Sequence, residues 1–230
     1  MRVSAAIAAA AIVMTAAVPV ATAHASGNPL AGLSADQIAV KAIANLKTAS
    51  SVHLTGTAKE GGQSYTISLS ATPNGCDGTM TIPHTGSFGL LAIGKSVWIQ
   101  PSNQFWKSEG VPGSELSRVS GKYIAVTGSF AKELADLKTL CIPKDFASEF
   151  GGPVTGLVEG GTRSISGQPA VELKDASDSG YMYVSVAAKP EVLRIDLPGT
   201  ASFSFSHYGA HVTLTPPPSG DVIKLSGAAH

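Results

Sequence analysis

The chain is short of charge. Only 14% of its 230 residues are Asp, Glu, Lys or Arg, and its 16 cations match its 16 anions. Near-neutrality argues against a nucleic-acid or other polyphosphate partner, and against electrostatic docking on a membrane surface. Cysteine is scarce too: Cys76 and Cys141 are the only two. Neither belongs to the closely spaced pairs of a zinc site. There is no G-x-S-x-G elbow and no H-E-x-x-H helix, so the local signatures of those hydrolases and metalloproteases are missing. In "HYGAH", His207 and His211 stand four apart, which would suit zinc on a helix. On a strand that spacing separates two side chains by roughly 13 Å, and no carboxylate or third histidine is near in sequence. They read as surface histidines. The expectation is a protein that is not an enzyme, with no catalytic residues, no metal and no cofactor.

What is present begins with "MRVSAAIAAAAIVMTAAVPVATAHAS". Arg2 is the only charge in the first 35 residues, an Ala-rich apolar stretch follows, and small residues stand at Ala23 and Ala25. This is the charged, apolar and small-residue order of a secretory signal, over residues 1–25 with cleavage after Ala25. A membrane anchor is the weaker reading, because alanine is only mildly apolar and Pro19 breaks the run. Residues 26–33 form a short linker, and residues 34–230 suit one domain with a real core. A lipid-anchored lipoprotein needs a cysteine behind its signal, and Ser26 and Gly27 stand there instead. The expectation is therefore a secreted, extracytoplasmic protein without a lipid anchor. In an exported chain, an even cysteine count suggests a Cys76–Cys141 disulfide. The alternative, two separate buried thiols, suits an oxidising compartment less well.

The first periodic segment is "GLSADQIAVKAIANLKTAS". Ser34 is placed as an N-cap with Gln37 completing a capping box, and Leu33 and Ile38 are placed as a hydrophobic staple. Ile38, Ala39, Ala42, Ile43 and Leu46 form one apolar stripe at helical period. Then the period drops to two. "SVHLTGTA", "QSYTISLSA", "GTMTI", "SFGLLAI" and "KSVWIQP" read as an antiparallel meander broken by Gly61-Gly62, Pro73-Asn74-Gly75 and Gly94-Lys95. A helical interruption is expected from about 114 to 150. There Phe130, Leu134, Leu137 and Cys141 share a face, which puts Cys141 on the buried side, within reach of Cys76.

The last third alternates sharply. Met182, Val184 and Val186 oppose Tyr181, Tyr183 and Ser185. Leu193, Ile195 and Leu197 oppose Arg194 and Asp196, and Phe203 and Phe205 oppose Ser202, Ser204 and Ser206. "AHVTLTPPP" reads as a final strand stopped by its prolines. One face is apolar and one is wet, as in an antiparallel sheet covered on a single side. The helices are the available cover, so the fold class is α+β.

One motif needs its context. "GLLAIGKS", Gly89 to Ser96, satisfies G-x-x-x-x-G-K-[ST], the pattern of a nucleotide-binding loop. A working loop lies between a strand and a helix. Here Leu90 to Ile93 read as strand and "SVWIQP" reads as another, so Gly94-Lys95 is a hairpin turn and no ATP binding is expected. In "VWIQPSNQFW", Trp98 faces away from Val97 and Ile99, and Trp106 reads as a rim residue closing a hairpin.

"RSISGQPAVEL", "GYMYVSVAAKPEVLRIDLPG" and "ASFSFSHYGAHVTLTPPPSGDVI", with "NGCDGTMTI" and "KSVWIQPSNQFW" earlier, resemble exported carriers with the LolA fold. The likeness is to the LppX/LprG-type lipoproteins of actinobacteria and covers most of the chain after its leader. It implies a strongly curved antiparallel half-barrel of about eleven strands, with helices covering the concave face. It also implies a carrier whose partner is a lipid, glycolipid or lipoprotein acyl chain, held in an apolar cavity between sheet and helices. Ile38, Ala42, Leu46, Met182, Val184, Leu193, Ile195, Phe203 and Phe205 are the candidate lining. Membrane contact is expected to be transient at most, and the protein a monomer. A cell-envelope interaction or sensing scaffold without lipid cargo is the alternative, because a fold does not dictate a function.

Overall fold

A computed structural model describes residues 27–127, 139–149, 155–175 and 180–223. The leader read over 1–25, and Phe130, Leu134 and Leu137, lie outside the described residues.

The first helix, α1 (Ala35–Lys47), starts as its sequence dictates. Ser34 Oγ accepts from the Gln37 amide at 3.2 Å, and the Ser34 amide donates to Gln37 Oε1 at 2.9 Å. Both halves of the capping box are made. Ile38, Ala39, Ala42, Ile43 and Leu46 form its buried face, and Leu33 packs partly buried against the same core. Two polar contacts fix the helix in place. The Asp36 carboxylate accepts from the amides of Gly156 and Leu157, and Asn45 Nδ2 donates to Pro190 O at 2.7 Å.

The remaining elements are β1 (Val52–Glu60), β2 (Gln63–Thr72), β3 (Gly75–Ile82), β4 (Gly86–Ile93), β5 (Ser96–Pro101), α2 (Asn103–Ser108), α3 (Leu116–Val119) and β6 (Tyr123–Ala125). They continue with α4 (Pro143–Glu149), β7 (Leu157–Ile165), β8 (Gln168–Asp175), β9 (Tyr181–Ser185), β10 (Val192–Leu197), β11 (Ala201–Ser206), a 3-10 turn and β12 (Val222–Ile223). Among the described residues the strands form a twelve-stranded sheet, ordered β12-β6-β5-β4-β3-β2-β1-β11-β10-β9-β8-β7. All its pairs are antiparallel except β12 with β6. Two meanders, β1–β5 and β7–β11, are thus joined edge to edge by β1 and β11, strands about 150 residues apart in sequence.

Register sorts the two faces. Leu54 lies opposite both Leu69 and Phe205, Ile67 opposite Met80, Leu90 opposite Ile99, and Ile195 opposite Phe203, all buried in one core cluster. The other face carries Thr55, Ser68, Ser204 and Arg194. This is the predicted one-sided α+β sheet. α1 lies against β7, β9, β10 and α4. Phe146 of α4 packs against Phe203 and Phe205, and α2 packs on β4. Cys76 of β3 is bonded to Cys141, with Cα atoms 4.8 Å apart and both side chains fully buried. The expected disulfide is therefore made, and it ties the segment leading into α4 to the sheet.

Three expectations need correction. Residues 210–218 form no strand. β11 already has β1 on one edge and β10 on the other, so the segment cannot hairpin back onto it, and Pro216, Pro217 and Pro218 carry no amide donors. The strand count rises to twelve instead through β6 and the two-residue β12, which pair parallel. Trp106 is not a rim residue of a hairpin. It sits on α2, whose N-cap Ser102 accepts from the Phe105 amide, and it is buried in the core. Ser102 Oγ also accepts from the Ser87 amide, which pins the helix start to β4.

Candidate functional site

The candidate lining residues come together, with two distinctions. Ile38, Ala42 and Leu46 on α1, Val184 on β9, Ile195 on β10, and Phe203 and Phe205 on β11 all belong to the main core cluster, and Met182 packs against it partly buried. Leu193 is buried but stands outside that cluster. The cause is a bulge. Val192 pairs with Val184 and Arg194 with Tyr183, so Leu193 is the extra residue and Val192 takes the core position. An inserted residue shifts the side-chain alternation by one. Strict alternation along "EVLRIDL" therefore assigns Leu193 to the wrong place and misses Val192.

The aromatic centre of this arrangement is a trio. Phe146 meets Phe203 edge-on, with centroids 5.6 Å apart, and lies tilted 5.5 Å from Phe205. Such pairs add to the area they bury. Phe203 has room for its ring because residue 56, opposite it on β1, is glycine. A Cβ there would lie 2.6 Å from Phe203 Cδ1 and 2.4 Å from the Ser202 carbonyl oxygen. Neither Phe146 nor Gly56 is apparent from periodicity. Pro143 starts a fresh helix and breaks the helical phase running from Cys141 to Phe146. A glycine in a strand signals a close backbone approach without saying to what.

Ile38, Ala42, Leu46 and Val184 are each no more than 1% exposed. Almost no water-sized space touches these side chains in this structure. Trp106, 8% exposed, has the only buried side-chain nitrogen or oxygen among the described residues without a hydrogen-bond partner, its indole Nε1. It meets Phe105 edge-on at 6.0 Å, and Phe105 meets Phe88 likewise at 6.3 Å.

Among the described residues, shallow pockets open on the polar face. One, of about 410 Å³, lies where Thr57 and Ser64 meet the β10–β11 turn, beside Asp196 and Ser202. Asp196 accepts there from Arg194 Nε and Ser202 Oγ. Another, of about 230 Å³, is lined by His53, His207 and His211 with Ser70. The structure thus gathers the two histidines of "HYGAH" with a third from β1. His53 and His207 meet edge-on at 5.9 Å. Burial, and then the neighbouring His207, push the His53 imidazole below its usual range. Among the described residues, no group of three or more His, Cys, Asp or Glu side chains is arranged to hold a metal.

Further along that face, Arg163 Nε donates to Glu172 at 2.5 Å, and this hydrogen bond is the main cause holding the Glu172 carboxyl below the usual range. Burial pushes the Tyr208 phenol up; its hydroxyl donates to Val192 O at 2.8 Å. The nucleotide-loop match resolves as the sequence context implied. Ile93 pairs with Ser96, and Gly94 takes a positive φ of 58° at the first central position of a two-residue turn. Exposed Lys95 follows it and leads into β5, not a helix. Trp98 lies opposite Leu91 and Ala125, away from the core partners Ile99 and Ile124, as its phase predicted.

No protein-family model matches the sequence, and no curated protein sequence does either. Solved structures do resemble it. LprF from Mycobacterium bovis aligns with a TM-score of 0.58 at 16% identity, over 80% of this chain and 96% of that one. An uncharacterized conserved protein from Thermus thermophilus aligns at 0.39 and 11% identity, over 83% of this chain and 98% of that one. MucB aligns at 0.38 and 14%, over 78% of this chain and 62% of that one. The last two scores are too low to carry an argument. The chain has the fold of LprF, the LolA-like fold implied by the sequence resemblance.

Proposed function

We propose that the protein is an exported carrier that binds a lipid or other acyl chain between its helices and the apolar face of its sheet. The observation that supports this reading best is the one-sided sheet on the fold of LprF. A face running from Ile124 to Val171 is apolar throughout and is covered by short helices. The resemblance to LppX/LprG-type carriers supplies the class of cargo. The driving force needs no charged partner, because each buried methylene contributes about 0.8 kcal/mol. Since the side chains of Ile38, Ala42, Leu46 and Val184 are packed flush, a bound chain would take up space gained by lifting helices off the strands. Such a protein acts outside the cytoplasm, which the Cys76–Cys141 bond favours, and needs no catalytic group.

Native mass spectrometry of the protein purified from its own host tests the reading. A co-purifying lipid, lost in Phe205→Glu that still folds, supports it. That same flush packing favours a second reading, in which the face is ordinary core and the fold serves as an interaction scaffold. An empty protein that also ignores a fluorescent monoacylglycerol would favour that one instead.

A further inference from the structure

We infer that the indole N–H of Trp106 is the polar contact that fixes the cargo, donating to an uncharged oxygen acceptor on the lipid such as an ester or amide carbonyl. This rests on the carrier reading above. Trp106 stands on a six-residue helix anchored at both β4 and its own N-cap, so the ring is held in place. Its residue is more than nine-tenths buried at the β4 end of the core cluster whose β9–β11 end holds the candidate lining, yet no acceptor among the described residues reaches Nε1. An indole nitrogen can only donate. A buried donor without an acceptor destabilises the fold, and phenylalanine would fill an aromatic site without that cost.

The surroundings select the acceptor. The buried polar and charged residues among those described are Ser51, Thr72, Glu172 and Ser185, and no Lys or Arg is buried. A free fatty-acid carboxylate brought to Trp106 would meet no buried counter-ion among the described residues, and an unpaired buried charge is disfavoured far more than a dipole. A carbonyl needs one neutral donor, which is what the site offers.

The test uses two lipids that differ at one group: 1-monopalmitoylglycerol, and its 1-O-hexadecyl ether, which lacks the carbonyl. Binding of both is measured for wild type and Trp106→Phe. The variant should bind the ester about fivefold to tenfold more weakly, the worth of one neutral hydrogen bond, while its affinity for the ether stays within twofold. An independent readout avoids the substitution. In Trp98→Phe the remaining indole is Trp106, and the ester, but not the ether, should move its N–H proton resonance downfield. Equal losses for both lipids, or an indole resonance unmoved by bound ester, overturn the contact while leaving the carrier reading intact. A wild type that binds neither lipid overturns both.

Discussion

Replacing both bonded cysteines, Cys76→Ala with Cys141→Ala, should remove a large share of the stability without changing the fold. The bond joins residues 65 apart. On the chain-entropy account, closing a loop of that length is worth about 4 kcal/mol. Both sulfurs are fully buried, so alanine avoids adding an unsatisfied hydroxyl, which serine would bring. Domains of this kind hold about 5–15 kcal/mol in total, so the variant should stay folded at 25 °C with a much reduced margin. With a urea m-value near the top of the usual range, about 3 kcal/mol/M, the midpoint should fall by about 1.3 M. The assay is urea unfolding of oxidised wild type and variant, followed by far-UV circular dichroism and by tryptophan fluorescence. Coincident transitions for each protein license the comparison. A midpoint loss under about 0.3 M, roughly 1 kcal/mol on the same slope, would refute the reasoning. It would mean that the helical segment is held to β3 by packing alone, and that the unfolded chain gains little freedom when the link is cut.

Other perturbations test the aromatic centre and the histidine pocket. Phe146→Ala should cost about 3–5 kcal/mol, because the ring is buried against two others and a cavity remains; a loss below about 1 kcal/mol by urea unfolding would show that the trio is not central. Gly56→Ala adds a single methyl yet should destabilise by about 1–3 kcal/mol, since it must displace the Phe203 ring and the Ser202 backbone, and thermal unfolding with a raised Tm would contradict this. His53 has its folded pKa below 6.5, so the unfolded chain takes up its proton first as pH falls. Its contribution is present above about pH 6.5 and is lost below it. The Tm difference between pH 7.5 and 5.5 should shrink in His53→Gln, and an unchanged difference would rule His53 out as its source.

The local content of the chain was legible because it is written in short-range chemistry. The capping box at Ser34 and Gln37, the stripe of α1 and the hairpin at Gly94-Lys95 each depend on residues within a few positions of one another. The period-two runs of β1–β5 and β8–β11 did too, and they sorted Phe203, Phe205, Ile195 and Val184 onto one face. A leader-like N-terminal pattern and an even cysteine count pointed to the Cys76–Cys141 pair that the structure makes. What lay beyond reach was whatever two distant segments decide together. The pairing of β1 with β11 closes one sheet from two meanders, and it takes the edge of β11 on which residues 210–218 could have paired. The bulge at Leu193 answers to its neighbour strand and hands the core position to Val192. His53 joins His207 and His211 only because β1 and β11 lie side by side. Trp106 is core because Ser102 starts a helix where its strand would otherwise run on. Sequence periodicity fixes which way a side chain points from its own backbone, whereas what it meets there is fixed only when the partner strand arrives.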